Sequence, residues 1–301
     1  MRPYPVNLAS LLRLPAALAL ALAHGVVAAA GYYGSGWYRE AGLQQSYDDN
    51  VSRSGAPADI ASDFITRVDA AFRHTRMMGS AGRLSLAGRV AYERFDGHGD
   101  LSNVEADMEG YYVYQPNPGF SAPWYELSAR LSRIEPRDSR IRRSTVADAG
   151  ASAGKRLTDT LTAHLGYRYS ERWAQSEVFD TRDHALQLDL DMSLSPGMGA
   201  WLAYEFHAGA VVSTATPAAW IFAAAEAWEP DEAYGRVSGP GCSPRCAYRL
   251  DGRTHVVGAG FEFELTNHAS VDLSGTWFHT DWEGGGAYHG LTLGVALYLN
   301  Y

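Results

Sequence analysis

Charged side chains recur at every second position in several segments of this sequence, and their spacing is the first feature to explain. A spacing of two places side chains on one face of a β-strand. In a closed barrel this face lines the interior, where charges either line a solvated pore or pair across a narrow lumen as a plug. The predicted lumen residues are Arg67, Arg83, Arg89, Asp107, Glu109, Glu126, Arg130, Arg168, Asp189, Asp191, Glu205, Glu262, Glu264 and Asp272.

Histidine-containing pairs are the only candidates for covalent chemistry. They are His207 with Ser213, His279 with Asp281, and His289 with Thr292. Hydrolysis needs a nucleophile or an activated water, a base and an orienting group within hydrogen-bond distance. None of these pairs supplies that full set, so the sequence predicts no catalytic residues. A membrane-embedded hydrolase is therefore the least favoured of the three hypotheses for function, and the other two are given at the end of this section.

Two further sets of donor groups lie close together in the sequence. Cys242 and Cys246 stand in the segment Gly-Cys-Ser-Pro-Arg-Cys, where an exported chain is expected to form a disulfide. A zinc site would need further Cys or His ligands nearby. Asp48, Asp49 and Asn50 could bind calcium through closely spaced oxygens, but Asx residues also favour turns through local hydrogen bonds. The sequence predicts a disulfide, no metal and no cofactor.

The N-terminal segment has the features of a secretory signal peptide. Arg2 and Arg13 precede an apolar stretch within residues 14–30, and Ala28 and Ala30 fit the positions before a signal peptidase cleavage site. The alternative, a helical membrane anchor, needs about 20 uninterrupted apolar residues. The sequence therefore predicts a signal peptide over 1–30 and one barrel domain over 31–301.

Composition excludes other classes of function. The formal net charge is −9 and Lys155 is the only lysine, so the chain lacks the clustered basic groups that nucleic-acid binding requires. Mean hydropathy is −0.23, and no later apolar run reaches the ~18 residues of a membrane helix. A transmembrane barrel permits this composition because only alternate residues face lipid.

The alternation of apolar and polar residues predicts the fold class. In residues 63–73, Phe64, Val68 and Phe72 would face outward while Arg67 and Asp69 face inward. The sequence predicts an all-β, transmembrane, antiparallel up-and-down barrel of about twelve strands, with ten or fourteen as alternatives. The segments are 37–47, 63–73, 83–93, 104–114, 125–131, 147–153, 161–169, 186–194, 202–208, 259–265, 271–277 and 291–301.

The lengths of the connections predict the orientation. Outer-membrane barrels have short periplasmic turns and longer external loops. The short turns would be 195–198 and 266–268, and the external loops 171–182, 213–251 and 279–286. The longest loop contains an alanine-rich, aromatic stretch that could form a short helix. That stretch would either fold into the barrel mouth as a constriction or extend the strands above the membrane.

The C-terminal segment resembles the barrel-assembly signal of outer-membrane proteins. Its alternate residues are apolar and it ends on an aromatic side chain. This resemblance implies export to the outer membrane of a Gram-negative bacterium, with outer-membrane lipid and the barrel-assembly machinery as partners. The residues of the assembly signal are Leu293, Val295, Leu297, Leu299 and Tyr301.

A second resemblance lies near the start of the predicted domain. Residues 42–51 read Gly-Leu-Gln-Gln-Ser-Tyr-Asp-Asp-Asn-Val, and residues 62–68 read Ser-Asp-Phe-Ile-Thr-Arg-Val. They resemble the opening hairpin of exopolysaccharide-associated outer-membrane barrels and of the barrel domains of surface lipoprotein assembly modifiers. The chain departs from the modifiers because it has no N-terminal helical repeat domain.

These observations lead to a hypothesis about function. The sequence predicts a porin-like outer-membrane channel or export component that selects a polar solute by the charge and size of its lumen. The resemblance implies an exopolysaccharide as one possible cargo, and no covalent chemistry is involved. The alternative is a closed structural or adhesive surface barrel.

Overall fold

The computed structural model describes residues 35–235, 242 and 244–301. The predicted signal peptide lies outside the described residues. No helix of the described part has the length and apolar character needed to cross a membrane.

The described residues form a closed antiparallel barrel of twelve strands, which confirms the predicted fold class and the central strand number. A thirteenth, short strand, β10, pairs only with the edge of β11. The strands are β1 (Gly36–Asp48), β2 (Asp63–Met78), β3 (Gly82–Phe95), β4 (Asn103–Tyr114), β5 (Trp124–Pro136), β6 (Ser144–Arg156), β7 (Leu161–Ala174), β8 (Thr181–Ser195), β9 (Met198–Ala215), β10 (Ala227–Pro230), β11 (Cys246–Thr266), β12 (Ala269–Trp282) and β13 (Gly286–Asn300).

Each strand of the barrel pairs with its neighbour in sequence, apart from β9, which pairs with β11. The first and last strands close the ring in register from Glu40 with Asn300 to Asp48 with Thr292. Tyr301, one residue beyond β13, extends this closure through backbone hydrogen bonds with Arg39. Closure leaves no unpaired sheet edge in the lipid, where an unpaired backbone group would be costly.

Large apolar side chains cover the outside of the barrel. Met108 has 74% of its surface exposed, and Leu188 has 44%. The alternate positions carry the polar side chains and are half-buried or buried, as at Asp107 and Gln187. Since one face of each strand is apolar and the other polar, a one-residue shift in register would place charges in lipid. The sequence pattern therefore fixes which face is inward.

The two ends of the barrel differ in their connections. At the short-turn end the connections are residues 79–81, 115–123, 157–160, 196–197 and 267–268. At the long-loop end they are residues 49–62, 96–102, 137–143, 175–180, 216–245 and 283–285. The predicted short turns and long connections therefore lie at opposite ends of the barrel, as expected.

The predicted boundaries of the long connections are wrong. Strand β7 continues to Ala174, β9 continues to Ala215, and β11 already begins at Cys246. Strand β11 has 21 residues, whereas about 9–11 residues cross the bilayer. Beyond the bilayer a strand has no lipid-facing side, so the alternation on which the prediction depended stops before the strand does.

The longest connection contains a one-turn helix, α1 (Ala219–Ala224). Ile221 of α1 packs against Tyr248 and Phe278 of the barrel mouth, and β9 and β11 also extend above the bilayer. The predicted short helix therefore forms against the barrel mouth, and strand extension above the bilayer accompanies it. A disulfide joins Cys242 to Cys246 at the start of β11, with Cα atoms 5.2 Å apart.

Candidate functional site

The strand registers place all the predicted lumen residues on inward-facing positions. Asp189 lies opposite His164, Glu205 opposite Gln187, and Asp272 opposite Glu262. Glu264, close to the turn at 267–268, is exposed at the rim of the short-turn end. Their shared orientation follows from the two-residue period of a strand. Their role in a pore stays a prediction.

One wall of the interior, formed by β2 to β5, contains both signs of charge in contact with each other. Arg67 donates to Glu105 at 3.0 Å, and Arg89 donates to Asp107 at 2.8 Å. Arg130 reaches both of these carboxylates, at 3.7 Å from Asp107. We call this surface the mixed wall. Arg67, Arg89 and Arg130 are therefore paired, so little of their charge is available to a passing ion.

The opposite wall, formed by β8, β9, β11 and β12, is acidic. In the part of these strands that the structure describes, no lysine or arginine occupies an inward position. Arg168 of β7 approaches Glu205 at 3.4 Å, and His207 lies 3.0 Å from the same carboxylate. The acidic wall consists of Asp183, Asp189, Asp191, Glu205, Glu262 and Asp272.

The ion pairs run along the walls. Each ion pair described in the interior of the barrel joins two residues of the same strand, of adjacent strands, or of two strands with one strand between them. Examples are Arg73 with Glu40, from β2 to β1, and Arg168 with Glu205, from β7 to β9. Ion pairs of this kind neutralise charges along the wall and do not bridge the lumen. The arrangement fits a lined channel better than a plug of charges.

A tryptophan also lies inside the barrel, on the acidic wall. Trp201 packs against β11 where Gly258 and Gly260 have no side chains, and a Cβ at Gly260 would lie 2.6 Å from the indole. Its Nε1 donates to Asp272 at 3.1 Å. These two glycines therefore make room for an aromatic platform near the short-turn end.

The long-loop end is covered by two segments that we together call the cap. The first, the inner loop, comprises residues 49–62. The Thr214 amide donates to the Ser52 carbonyl at 2.9 Å, and Asp59 accepts from Thr216 and Arg245 contacts it. The inner loop is thereby attached to β9 and to the long connection that follows it.

Arg53 fixes the path of the inner loop. Its φ of 54° lies in the left-handed region, which non-glycine residues seldom adopt. Its guanidinium pairs with Asp48 at 2.7 Å and lies 4.3 Å from the centre of the Phe278 ring. Burial disfavours the charge of Arg53, but the hydrogen bond and charge of Asp48 outweigh burial and raise its pKa.

The second segment of the cap, the crossing turn, comprises residues 231–234. Asp231 is fully buried; it pairs with Arg142 of the 137–143 connection and accepts from the Thr214 hydroxyl at 2.9 Å. Tyr234 donates to the Val51 carbonyl at 2.7 Å. Burial raises the pKa of Tyr234 to about 12, so its hydroxyl keeps the proton that it donates.

The crossing turn lies over the barrel opening. The ring of Tyr234 contacts His98 of the 96–102 connection, at 5.1 Å between ring centroids, and the Arg142 guanidinium lies 5.9 Å away. Together with its hydrogen bond to Val51, Tyr234 therefore contacts three connections of the rim, namely residues 49–62, 96–102 and 137–143. A segment rooted between β9 and β11 can reach all three only if it crosses the mouth.

A cavity of about 310 Å³ lies below the cap, against the inner faces of β2 to β5 and of β7. Its polar lining includes the guanidinium groups of Arg53, Arg142 and Arg172. Phe95, Ile134 and Phe179 are among its apolar lining residues. The top of the lumen is thus richer in arginine than the acidic wall.

The structure does not assemble a hydrolytic site from the predicted histidine pairs. His207 and Ser213 are six positions apart on β9, roughly 20 Å along the strand. His279 and Asp281 lie on the outer face of β12, where His279 stacks on Trp277 at 6.0 Å. His289 is exposed on the outer face of β13, whereas Thr292 occupies the inner face, its hydroxyl 3.3 Å from Asp48.

The candidate calcium ligands serve the turn after β1. Asp48 accepts hydrogen bonds from Arg53 and from the Asn50 amide. Asp49 accepts from the Leu291 amide at 2.7 Å, and the side-chain oxygen of Asn50 accepts from the Ser54 amide at 3.1 Å. Their oxygens are therefore engaged by the protein in this structure.

Several residues of the site were missed in the sequence. Arg172 was placed in a predicted loop, although it continues the inward series of Arg168 and Ser170. That continued parity was the signal that could have identified it. Asp231 and Arg142 belong to loops, where no periodicity indicates which residues will meet.

No protein-family model and no curated protein sequence matches this chain. Among solved structures, an outer membrane channel from Pseudomonas putida F1 has a TM-score of 0.56 and 11% identity, over 89% of this chain and 96% of that chain. The outer membrane channel DcaP of Acinetobacter baumannii has a TM-score of 0.46 and 8% identity, over 90% and 99%. The KdgM porin in complex with disordered oligogalacturonate has a TM-score of 0.44 and 9% identity, over 86% and 98%. The similarity to the Pseudomonas channel supports the fold alone.

Proposed function

We propose that this chain is an outer-membrane channel of a Gram-negative bacterium that passes small polar solutes and prefers cations. The acidic wall carries the proposal. Its carboxylates face the lumen over four strands without an inward arginine or lysine, while Arg67 and Arg89 of the mixed wall are paired with their neighbours. A low-dielectric wall of one sign raises the local concentration of the opposite ion.

The reversal potential in a KCl gradient across a planar bilayer tests this preference. We expect the purified protein to give the sign of a cation-selective channel. Combined replacement Asp189→Asn, Asp191→Asn, Glu262→Gln and Asp272→Asn should move the potential towards that of an unselective pore. Asp159→Asn removes the same type of charge from an exposed turn and is the control. An anion-selective native channel would contradict the proposal.

Glu262 and Asp272 give a second prediction, on stability. They are register partners on adjacent strands, and like charges placed directly opposite each other destabilise a sheet. Asp272→Asn keeps an oxygen that accepts from Trp201 and removes the repulsion. We expect the free energy of unfolding to rise by roughly 0.2–1 kcal/mol in urea titrations at low salt, with a smaller gain at high salt. A loss of stability at low salt would contradict this account of the acidic wall.

The charge of the lumen also bears on which solutes the channel passes. The resemblance of residues 42–51 and 62–68 suggests exopolysaccharide export as one role. An acidic wall would repel an anionic polysaccharide, so we favour small neutral or cationic solutes. Liposome swelling with uncharged, cationic and anionic sugars of equal size separates these classes; fastest entry of the anionic sugar would favour the polysaccharide role.

Targeting and assembly complete the proposal. Residues 1–30 would direct export, and the alternate residues of β13 would serve the barrel-assembly machinery. In the structure Leu293 and Val295 are exposed on the outer face, where lipid would contact them. The prediction that they form an assembly signal stays a prediction.

The cap favours a second candidate, a closed surface barrel. Hydrogen bonds tie the inner loop and the crossing turn to each other across the mouth. Such a protein would expose aromatic side chains of the long connection, including Trp220 and Trp228, to material at the cell surface. A folded native protein that passes no ions would favour this candidate over the channel.

A further inference from the structure

The cavity below the cap contains a guanidinium that forms no ion pair with a described carboxylate. Arg172 of β7 donates through Nε to the Ser144 hydroxyl at 2.9 Å. The other two arginines of the cavity, Arg53 and Arg142, each form an ion pair with a carboxylate. In residues 35–235, 242 and 244–301, none of the ion pairs involves Arg172.

The carboxylates that line the cavity are already engaged. Asp48 pairs with Arg53 at 2.7 Å. Glu93 accepts from the Asn103 amide at 3.1 Å and lies 3.7 Å from Arg67. Neither acid forms an ion pair with Arg172. Arg172 is half-buried, and a partly desolvated charge without a counter-charge is costly, so this position suits an external anion.

The shape and chemistry of Arg172 indicate the type of anion. With Nε used by Ser144, its terminal nitrogens still offer donors, and a guanidinium fork matches the two oxygens of a carboxylate. Phe95, Ile134 and Phe179 add apolar surface to the same cavity. A cavity of about 310 Å³ with apolar walls and a few polar groups is typical of small-molecule sites.

We propose that the cavity binds a small organic carboxylate, with the carboxylate on Arg172 and an apolar ring or chain against Phe95, Ile134 and Phe179. This site is separate from the acidic wall and does not depend on conduction. It would place an anion beside Arg142, the residue that holds the crossing turn. Binding and conduction can therefore be tested independently on the same protein.

Calorimetric titration of the intact protein in detergent micelles tests the proposal with benzoate and benzamide, which have nearly the same shape and differ in charge. We expect saturable binding of benzoate and much weaker binding of benzamide. Arg172→Gln should weaken benzoate binding by about tenfold or more, equivalent to ~1.4 kcal/mol. Arg172→Lys keeps the charge but loses the fork of the guanidinium. Its affinity for benzoate should lie between that of the native protein and that of Arg172→Gln.

Arg182→Gln is the matched control, because Arg182 is an exposed arginine paired with Glu171 at 2.9 Å outside the cavity; it should bind benzoate as the native protein does. Heat-modifiable gel migration confirms that each variant is folded. Equal binding of benzoate and benzamide, native affinity in Arg172→Gln, or no binding to the folded native protein would each overturn the proposal. Acetate or inorganic phosphate binding as tightly as benzoate would show a simple anion site and reject the organic carboxylate.

Conduction gives an independent outcome. A barrel that binds benzoate but passes no ions would keep this site and reject the channel. A conducting barrel that does not bind benzoate would support the channel and reject this binding site.

Discussion

Asp231→Ala is expected to release the crossing turn and to raise the conductance of the barrel several-fold. Asp231 is fully buried and holds Arg142, the Thr214 hydroxyl and the Ala233 amide. Its removal leaves the guanidinium of Arg142 without a carboxylate partner, and breaking a buried ion pair in this way costs roughly 3–5 kcal/mol. The cost falls on the cap, because the strands below it do not depend on these contacts.

Single-channel recording and gel migration together distinguish opening from unfolding. The variant should keep the heat-modifiable migration of a folded barrel while its current increases. Glu232→Ala is the control, since Glu232 is the next residue of the same turn and is exposed. The double variant Asp231→Ala, Arg142→Ala should recover part of the lost cap stability, because neither charge is then left alone. Native-like current in Asp231→Ala would mean that the crossing turn is not the barrier.

Leu188→Arg is expected to destabilise the barrel by roughly 2–4 kcal/mol, the cost of an arginine on the lipid face near the bilayer midplane. Leu188 lies at the centre of β8 and is exposed to the outside. The free energy of unfolding in lipid vesicles, from urea titration, measures this cost directly.

Gln187→Arg provides the matched comparison, one residue away on the same strand. Gln187 faces inward and is the register partner of Glu205, so the new guanidinium would enter water beside a carboxylate. We expect a change within about 1 kcal/mol, as for other solvated ion pairs. If the two variants are equally destabilised, the assignment of lipid-facing and lumen-facing sides is wrong.

The strands could be predicted from the sequence because lipid imposes a strict rule on alternate residues. Even the weak segment at 37–47 is a strand, although Arg39 interrupts its apolar face; its position beside Tyr301 at the end of the barrel accounts for that exception. The ends of β7, β9 and β11 were harder to predict. Above the bilayer the outer face of a strand meets water or loops and need not be apolar, so only the inward series, as at Arg172, still marks the strand.

In the candidate site, too, residues on strands could be predicted and residues in loops could not. Arg67, Asp189 and Glu262 were found because their parity on a strand decides the direction in which they point. The cap was not predicted, since Asp231 meets Arg142, 89 residues earlier, through a contact between two loops. The alanine-rich stretch predicted as a constriction lies in the same connection, but residues 231–234 are the part that crosses the mouth.

The most direct test of the central claim is the single-channel conductance of the purified, folded protein in a planar bilayer at neutral pH. The claim is that the walls of the barrel enclose a water-filled path below a removable cap. We expect the native protein to give steady current steps or brief openings, and Asp231→Ala to give longer openings. A folded native barrel that passes no current would contradict a water-filled path, and so would a folded Asp231→Ala barrel that stays silent.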